Sequence, residues 1–388
     1  MHLRTPANRT DLFIAGAGPA GLACAIAAAL RGLSVQVADG MKPPIDKACG
    51  EGLMPDTLAA LAELGINIGT AATASLTGIR FIGNQDRKRA PVSIHASFPE
   101  ASGCGIKRLL LHQLLLDRAL ELGVRFHWQT VVQGMEQGVE QNIIRTNRGQ
   151  LQARYIVGAD GHQSRVRNWA GLDRTAYPFL RPTRRIGLRQ HFTIAPWTSH
   201  VEVHWGNNGQ AYVTPVSSSE VCVAFVASHK FASVHEALSH FPQLHARLST
   251  APPSDTPRGS ITLSRKLHRV TRGNVALIGD ASGSVDAITG EGLALCFRQA
   301  IALAEALETN NLAQYQRVHT ALRRLPHLMA CGLLSLDRSP RLRSRVFAAM
   351  ERHPHLFQQM LEVHIGHRPM RIFGSQGLLA IVPSLIFG

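Results

Sequence analysis

Gly16, Gly18 and Gly21, followed by Asp39, have the spacing that wraps a backbone around a pyrophosphate and offers a carboxylate to a ribose. In "DLFIAGAGPAGLACAIAAALRGLSVQVAD" (11–39) each glycine has its own task. Gly16 permits a tight turn, Gly18 lets the main chain approach phosphate, and Gly21 allows helix and strand to touch. Pro19 and Ala20 open the helix, whose free N–H groups and positive dipole end favour an anion. Dinucleotide binding is the chemistry implied. Two further stretches carry acids on similar scaffolds. "ARYIVGADGHQSRVRNWAG" (153–171) places Asp160 after a buried strand, and "GDASGSVDAITGEGLALC" (279–296) places Asp280 after the apolar run "NVALI". Glu291, between Gly290 and Gly292, stands at the head of an Ala/Leu-rich helix. An acid there can orient substrate or relay protons, or simply stabilise the helix's first turn.

These residues need a strand, a turn and a helix behind each of them, and the apolar periodicity supplies all three. Between 184 and 228 the period changes from helical to alternating, which signals antiparallel hairpins. Val201, Val203 and Trp205 then share one face, and Glu202 and His204 the other. The stretch 311–370 reads as helices, with Phe347, Met350, Phe357, Met360 and Leu361 as a core stripe. The chain has 388 residues, 45% hydrophobic and 17% charged, enough to bury a sizeable core. Its formal charge of +15 is scattered, with no aromatic interleaving or nucleic-acid motif, so no nucleic-acid partner is expected. Cys24, Cys49, Cys104, Cys222, Cys296 and Cys331 form no CxxC pair, which points to reduced thiols and a cytoplasmic protein. No clustered Cys/His spacing signals a metal site, and His191 and His204 are two of 19 histidines. No apolar run is long enough to span a bilayer. The apolar end "GLLAIVPSLIFG" (377–388) is read as docking on the protein's own surface, with peripheral membrane contact as the alternative.

Taken in order, the GxGxxG, "ADG" and "GD" stretches resemble those of FAD-dependent oxidoreductases of the aromatic hydroxylase and geranylgeranyl reductase superfamily, over residues 11 to about 325. The resemblance implies an α/β fold: a Rossmann-like FAD-binding domain (10–75, 101–172, 263–325), an inserted antiparallel β-sheet substrate domain (76–100, 173–262) and a helical C-terminal region (326–388). It implies that Asp280 holds the flavin's ribityl chain, and that Gly290, Gly292 and Leu293 present backbone to its pyrimidine edge. "PPIDKACGEGLMP" (43–55) resembles the segment beside the isoalloxazine, making Ala48, Cys49 and Gly50 flavin neighbours. Cys49 is a candidate for redox chemistry or a small packing residue, since no base partner is legible. "GIKRLLLHQLLLDRALELG" (105–123) resembles the family helix that begins with an arginine near the cofactor, here Arg108, and its Leu109, Leu110, Leu114 and Leu116 read as core. Val132 is carried over as an adenine contact.

The expected function is that of an NAD(P)H-dependent monooxygenase, hydroxylating an apolar aromatic or a polyketide- or lipid-derived small molecule. The alternative is a geranylgeranyl-reductase-like enzyme that saturates prenyl double bonds. A non-catalytic flavin-binding protein is the reading from another class. Gly283 and Ala287 replace the histidine and proline usual in the hydroxylases' late motif, and "TGEG" and "CGEGL" look more like the reductases. With no second full GxGxxG unit, NADH or NADPH is expected to visit transiently as reductant.

Overall fold

The computed structural model describes residues 9–69, 72–83, 92–176, 184–207 and 209–370; the apolar end 377–388 lies outside them. Strands from residues 9–158 and 271–277 combine into one eight-stranded sheet, whose parallel centre runs Val275–Leu277, Gly149–Gly158, Arg9–Ala15, Val35–Asp39, Arg125–Trp128. Because the chain leaves Arg9–Ala15 in one direction and returns on its other side, the strand order reverses there. Ligands of open α/β sheets bind at such a reversal, beyond the carboxyl ends of the strands. The helix Pro19–Ala29 is buried almost throughout its alanine-rich length and packs on Gly292–Glu308. Small side chains permit that close approach.

A second sheet has seven strands in the order Arg258–Leu263, Arg184–Thr193, Glu220–Ala227, Gln210–Pro215, His200–Trp205, Gly78–Gly83, Val92–Ser97. All neighbours are antiparallel except His200–Trp205 with Gly78–Gly83. Both of its faces are covered, which explains why Glu202 and His204 are buried rather than solvated. Glu202 is held by Trp197 Nε1 (3.0 Å), Arg80 and His204. A three-stranded sheet of Gly52–Leu53, Gly103–Ile106 and Thr73–Leu76 joins the two.

The C-terminal region forms Leu312–Leu322, Arg324–Arg338, Pro340–Arg352 and Pro354–His364. The last two, one amphipathic stretch by sequence, are separated at His353 by Pro354, which cannot continue a hydrogen-bonded helix. They cover the Val92–Ser97 strand, with Phe357 4.8 Å from the Phe81 ring. On Arg108–Glu121 the buried face is Leu111, Leu115, Leu116 and Ala119; Leu109, expected in the core, is 42% exposed, because it lies around the helix from that face.

Candidate functional site

Where the first sheet's strand ends meet the second sheet, a cleft of about 440 Å³ opens. Gly18, Pro19 and Ala20 line it from the glycine turn, with Ala48, Cys49 and Gly50 from the following loop. Arg108, Asp280, Gly290, Glu291, Gly292 and Leu293 line it from the other motifs. Gly16 and Gly21 lie behind the wall. A Cβ on Gly16 (φ +106°) would stand 2.5 Å from the Ala159 carbonyl oxygen, and one on Gly21 1.9 Å from that of Gly16. The turn therefore closes only with glycine at both positions. Gly18, Gly50, Gly290 and Gly292 have nothing within 4 Å of where a Cβ would be, so backbone is bare to the cleft.

Three expected ligands stand outside the cleft wall. Asp39 accepts from Ala17 N and Met41 N, each at 2.8 Å, and so fixes the glycine turn to the end of its strand. Val132 begins the neighbouring strand Val132–Glu136. Asp160 turns to its own helix, where Oδ2 accepts from Arg165 N (2.7 Å) and Val166 N (3.2 Å), while Oδ1 is buried without a protein partner. At that point the wall is Ala159, Gly161 and His162.

The Gly279–Gly292 loop is secured from behind by residues that carried no motif. Tyr315 Oη donates to Leu277 O (2.8 Å), and His319 Nε2 pairs with Ser282 Oγ (2.9 Å). Arg323 donates to the carbonyls of Ser282, Gly283, Ser284 and Arg265. Asp280 itself is half-exposed, 3.2 Å from Lys47 Nζ.

A buried charge cluster holds the Cys49 loop. Arg189 donates to both Asp46 oxygens (2.7 and 2.9 Å) and to Asp255; His191 joins Glu51 at 2.5 Å and Asp255 at 2.8 Å. Glu51 has φ +61°, a strained conformation for a residue with a side chain, and its Oε1 accepts from Arg108 N (3.0 Å). Burial disfavours a charged His191, but Glu51 and then Asp255 outweigh it and lift the imidazole above its usual range. The Cys222 thiol lies close enough to Glu51 and His191 to suggest a metal triad. Both imidazole nitrogens already face carboxylates and the Arg189 guanidinium stands 3.8 Å from Glu51, so the group reads as an ion-pair cluster. Burial first, then Glu51, pushes the Cys49 thiol up, away from the nucleophilic thiolate.

At the opposite wall, Glu291 and His364 face each other at 3.8 Å, too far for a hydrogen bond. Glu291 Oε2 and His364 Nδ1 are both buried without partners. Burial, helped by Asp56, pushes the Glu291 carboxyl up to about 8, and burial drives the His364 imidazole down to about 4. Between them and the second sheet the wall is apolar: Phe81, Val201, Val203, Leu333, Phe357 and Met360. Phe357, Met360 and Leu361, expected as core, thus also face the cleft.

Bare glycine backbone, a helix N-terminus and the partnerless buried Nη1 of Arg108 fit an anionic dinucleotide. The family model described as "FAD binding domain" matches residues 9–312. A digeranylgeranylglycerophospholipid reductase of Methanothermobacter thermautotrophicus is 25% identical over 302 residues, 74% of each chain. A 12-dehydrotetracycline 5-monooxygenase/anhydrotetracycline 6-monooxygenase of Streptomyces rimosus is 30% identical over 173 residues, 42% of this chain and 33% of its own. Among solved structures, a flavoprotein/dehydrogenase from Cytophaga hutchinsonii superposes with a TM-score of 0.79 at 17% identity, covering 96% of this chain and 98% of its own.

Proposed function

The chain belongs to the FAD-binding-domain family, and from that premise we propose that this FAD-dependent oxidoreductase saturates carbon–carbon double bonds of an elongated, prenyl-type substrate, with NADH or NADPH as reductant. The observation that carries the reading is the cleft wall. From Gly292 to Met360 it offers aliphatic and aromatic side chains, which suits a hydrocarbon chain recognised by shape and by exclusion of water. The similarity of a lipid reductase over 74% of the chain supports it, as does the absence from the late motif of the hydroxylases' histidine and proline.

FAD, when bound, supplies two-electron transfer to carbon. The chain's own residues bind, orient and enclose. Gly16 and Gly18 would bring the N-terminus of Pro19–Ala29 to the pyrophosphate, and Asp39 and Val132 would flank the adenosine end. Arg108 would offer its partnerless Nη1 to an acceptor of the cofactor, Asp280 would hold the ribityl chain, and the Gly290–Leu293 backbone would face the pyrimidine edge. A helix N-terminus there would favour negative charge on the ring without a lysine. Ala48, Cys49 and Gly50 form a low wall on which the ring can lie, and Cys49, kept as a thiol, packs there.

Anaerobic incubation of the FAD-loaded protein with NADPH and geranylgeraniol tests the reading. A product heavier by two hydrogens per bond, formed equally well with and without dioxygen, is expected. A product that needs dioxygen and gains an oxygen atom transfers the assignment to hydroxylation.

A further inference from the structure

Saturating an alkene takes a hydride at one carbon and a proton at the other. Bound FAD and its nicotinamide reductant account for the first, and the proton requires an acid inside an apolar cleft. Among the described residues lining it, two acids have a buried oxygen with no partner, Asp286 and Glu291. Asp286 is already committed: its Oδ1 accepts from Ile288 N (3.1 Å) and caps the turn Ala287–Thr289. Glu291 heads Gly292–Glu308, 7% exposed, with a Thr289 hydrogen bond at its carboxyl and Oε2 left without a partner, beside the backbone expected to face the flavin.

The geometry points to Glu291 as the catalytic acid, its Oε2 delivering the proton to the substrate carbon opposite the hydride. This rests on the double-bond-reducing reading above. In the step, the alkene π pair takes the proton as the carboxyl O–H bond breaks, the hydride completes the second C–H bond, and Glu291 is left a carboxylate. A proton from solvent restores it when product leaves the cleft. The electrostatics suit the task. The groups facing Glu291 are Asp56 from the Pro55–Glu63 helix, Arg298 from its own helix and His364 from Pro354–His364. Arg298 is spent on Asp56 at 2.7 Å and His364 is neutral near pH 7, so the pull of Arg298 and of a Thr289 hydrogen bond falls short of the cost of burial and the repulsion of Asp56. A carboxyl held neutral near pH 7 is matched to proton donation.

Glu291→Gln keeps the size and removes the acid. FAD reduction by dithionite is expected at the wild-type rate, while reduction of geranylgeraniol by the pre-reduced enzyme falls by about 10²-fold or more. Wild-type turnover is expected to fall as pH rises through about 8, an arm that the variant lacks. Independently of turnover, difference infrared spectra at pH 7 are expected to contain a carboxylic-acid carbonyl stretch that disappears in Glu291→Gln. Equal turnover by variant and wild type, or an ionised Glu291 at pH 7, overturns the inference. A wild-type enzyme that leaves geranylgeraniol unreduced while showing the acid band overturns instead the double-bond reading.

Discussion

Glu51 meets His191 at 2.5 Å on one wall of the cleft, and Glu291 approaches His364 at 3.8 Å on the other. Both pairs are buried, yet they carry opposite charge states. Around the first stand Asp46, Asp255 and Arg189, so each imidazole nitrogen has a carboxylate and each carboxylate a cation or an N–H. His191 is therefore raised and Asp255 lowered, burial being outweighed by direct bonds in both. Around the second pair Arg298 is already spent on Asp56, and burial, reinforced by Asp56, prevails over Arg298 and a Thr289 hydrogen bond. Glu291 stays protonated, His364 stays neutral, and the difference lies in the neighbours rather than in the residue types. One wall is built as a clamp, the other as an acid.

Arg189→Met should have the largest effect on this contrast. It leaves Asp46, Glu51 and Asp255 facing each other without their central cation, and a loss of about 3–5 kcal/mol in urea unfolding is expected, with release of FAD. A stable, FAD-loaded Arg189→Met protein would show that the cluster is not the clamp. His191→Gln should cost about 1.5–3 kcal/mol near pH 6, the worth of hydrogen bonds to charged groups. Because the folded imidazole is raised, its contribution is complete below the ordinary histidine range and fades as pH rises through the raised value. The wild type should thus lose stability towards alkaline pH along an arm that the variant lacks.

Glu291→Gln sharpens the other half. A carboxyl raised to about 8 from 4.5 leaves the folded protein holding a proton that the unfolded chain releases, so wild-type stability falls between those pH values. The glutamine variant should be free of that decline and more stable at pH 8, on the order of 1 kcal/mol or more, by urea unfolding. The smallest effect belongs to His364→Asn. Since burial and Asp56 raise Glu291, losing a neutral neighbour at 3.8 Å should move its infrared titration by about half a pH unit or less. A larger displacement would make the two a coupled pair like Glu51 and His191.

What the sequence made legible was local. Gly16, Gly18, Gly21, Asp280 and Gly290 announce themselves because a turn, its glycines and the flanking strand are contiguous. The clamp is drawn from residues 46, 51, 189, 191 and 255, and only the pairing of Arg184–Thr193 with its neighbours and its placement over the Cys49 loop unite them. Alternation assigns Glu202 and His204 to a face but not to partners, since both faces of the second sheet are covered. Asp160 shows the opposite case, a visible motif residue whose carboxylate is turned to its own helix. For Glu291 the spacing exposed the residue and not its protonation, which depends on Asp56, Arg298 and the closing helix Pro354–His364.

Arg323 gathers four carbonyls of the Arg265 and Ser282–Ser284 segments from a position beyond the last residue matched by the family model. A chain cut at residue 312 would retain every glycine signature and lose the peg that keeps the late loop in register. Amide exchange across 279–292 should therefore be slaved to the opening of the terminal helices. The smallest unit that keeps the late loop in place is therefore expected to be longer than the stretch that bears its recognisable marks.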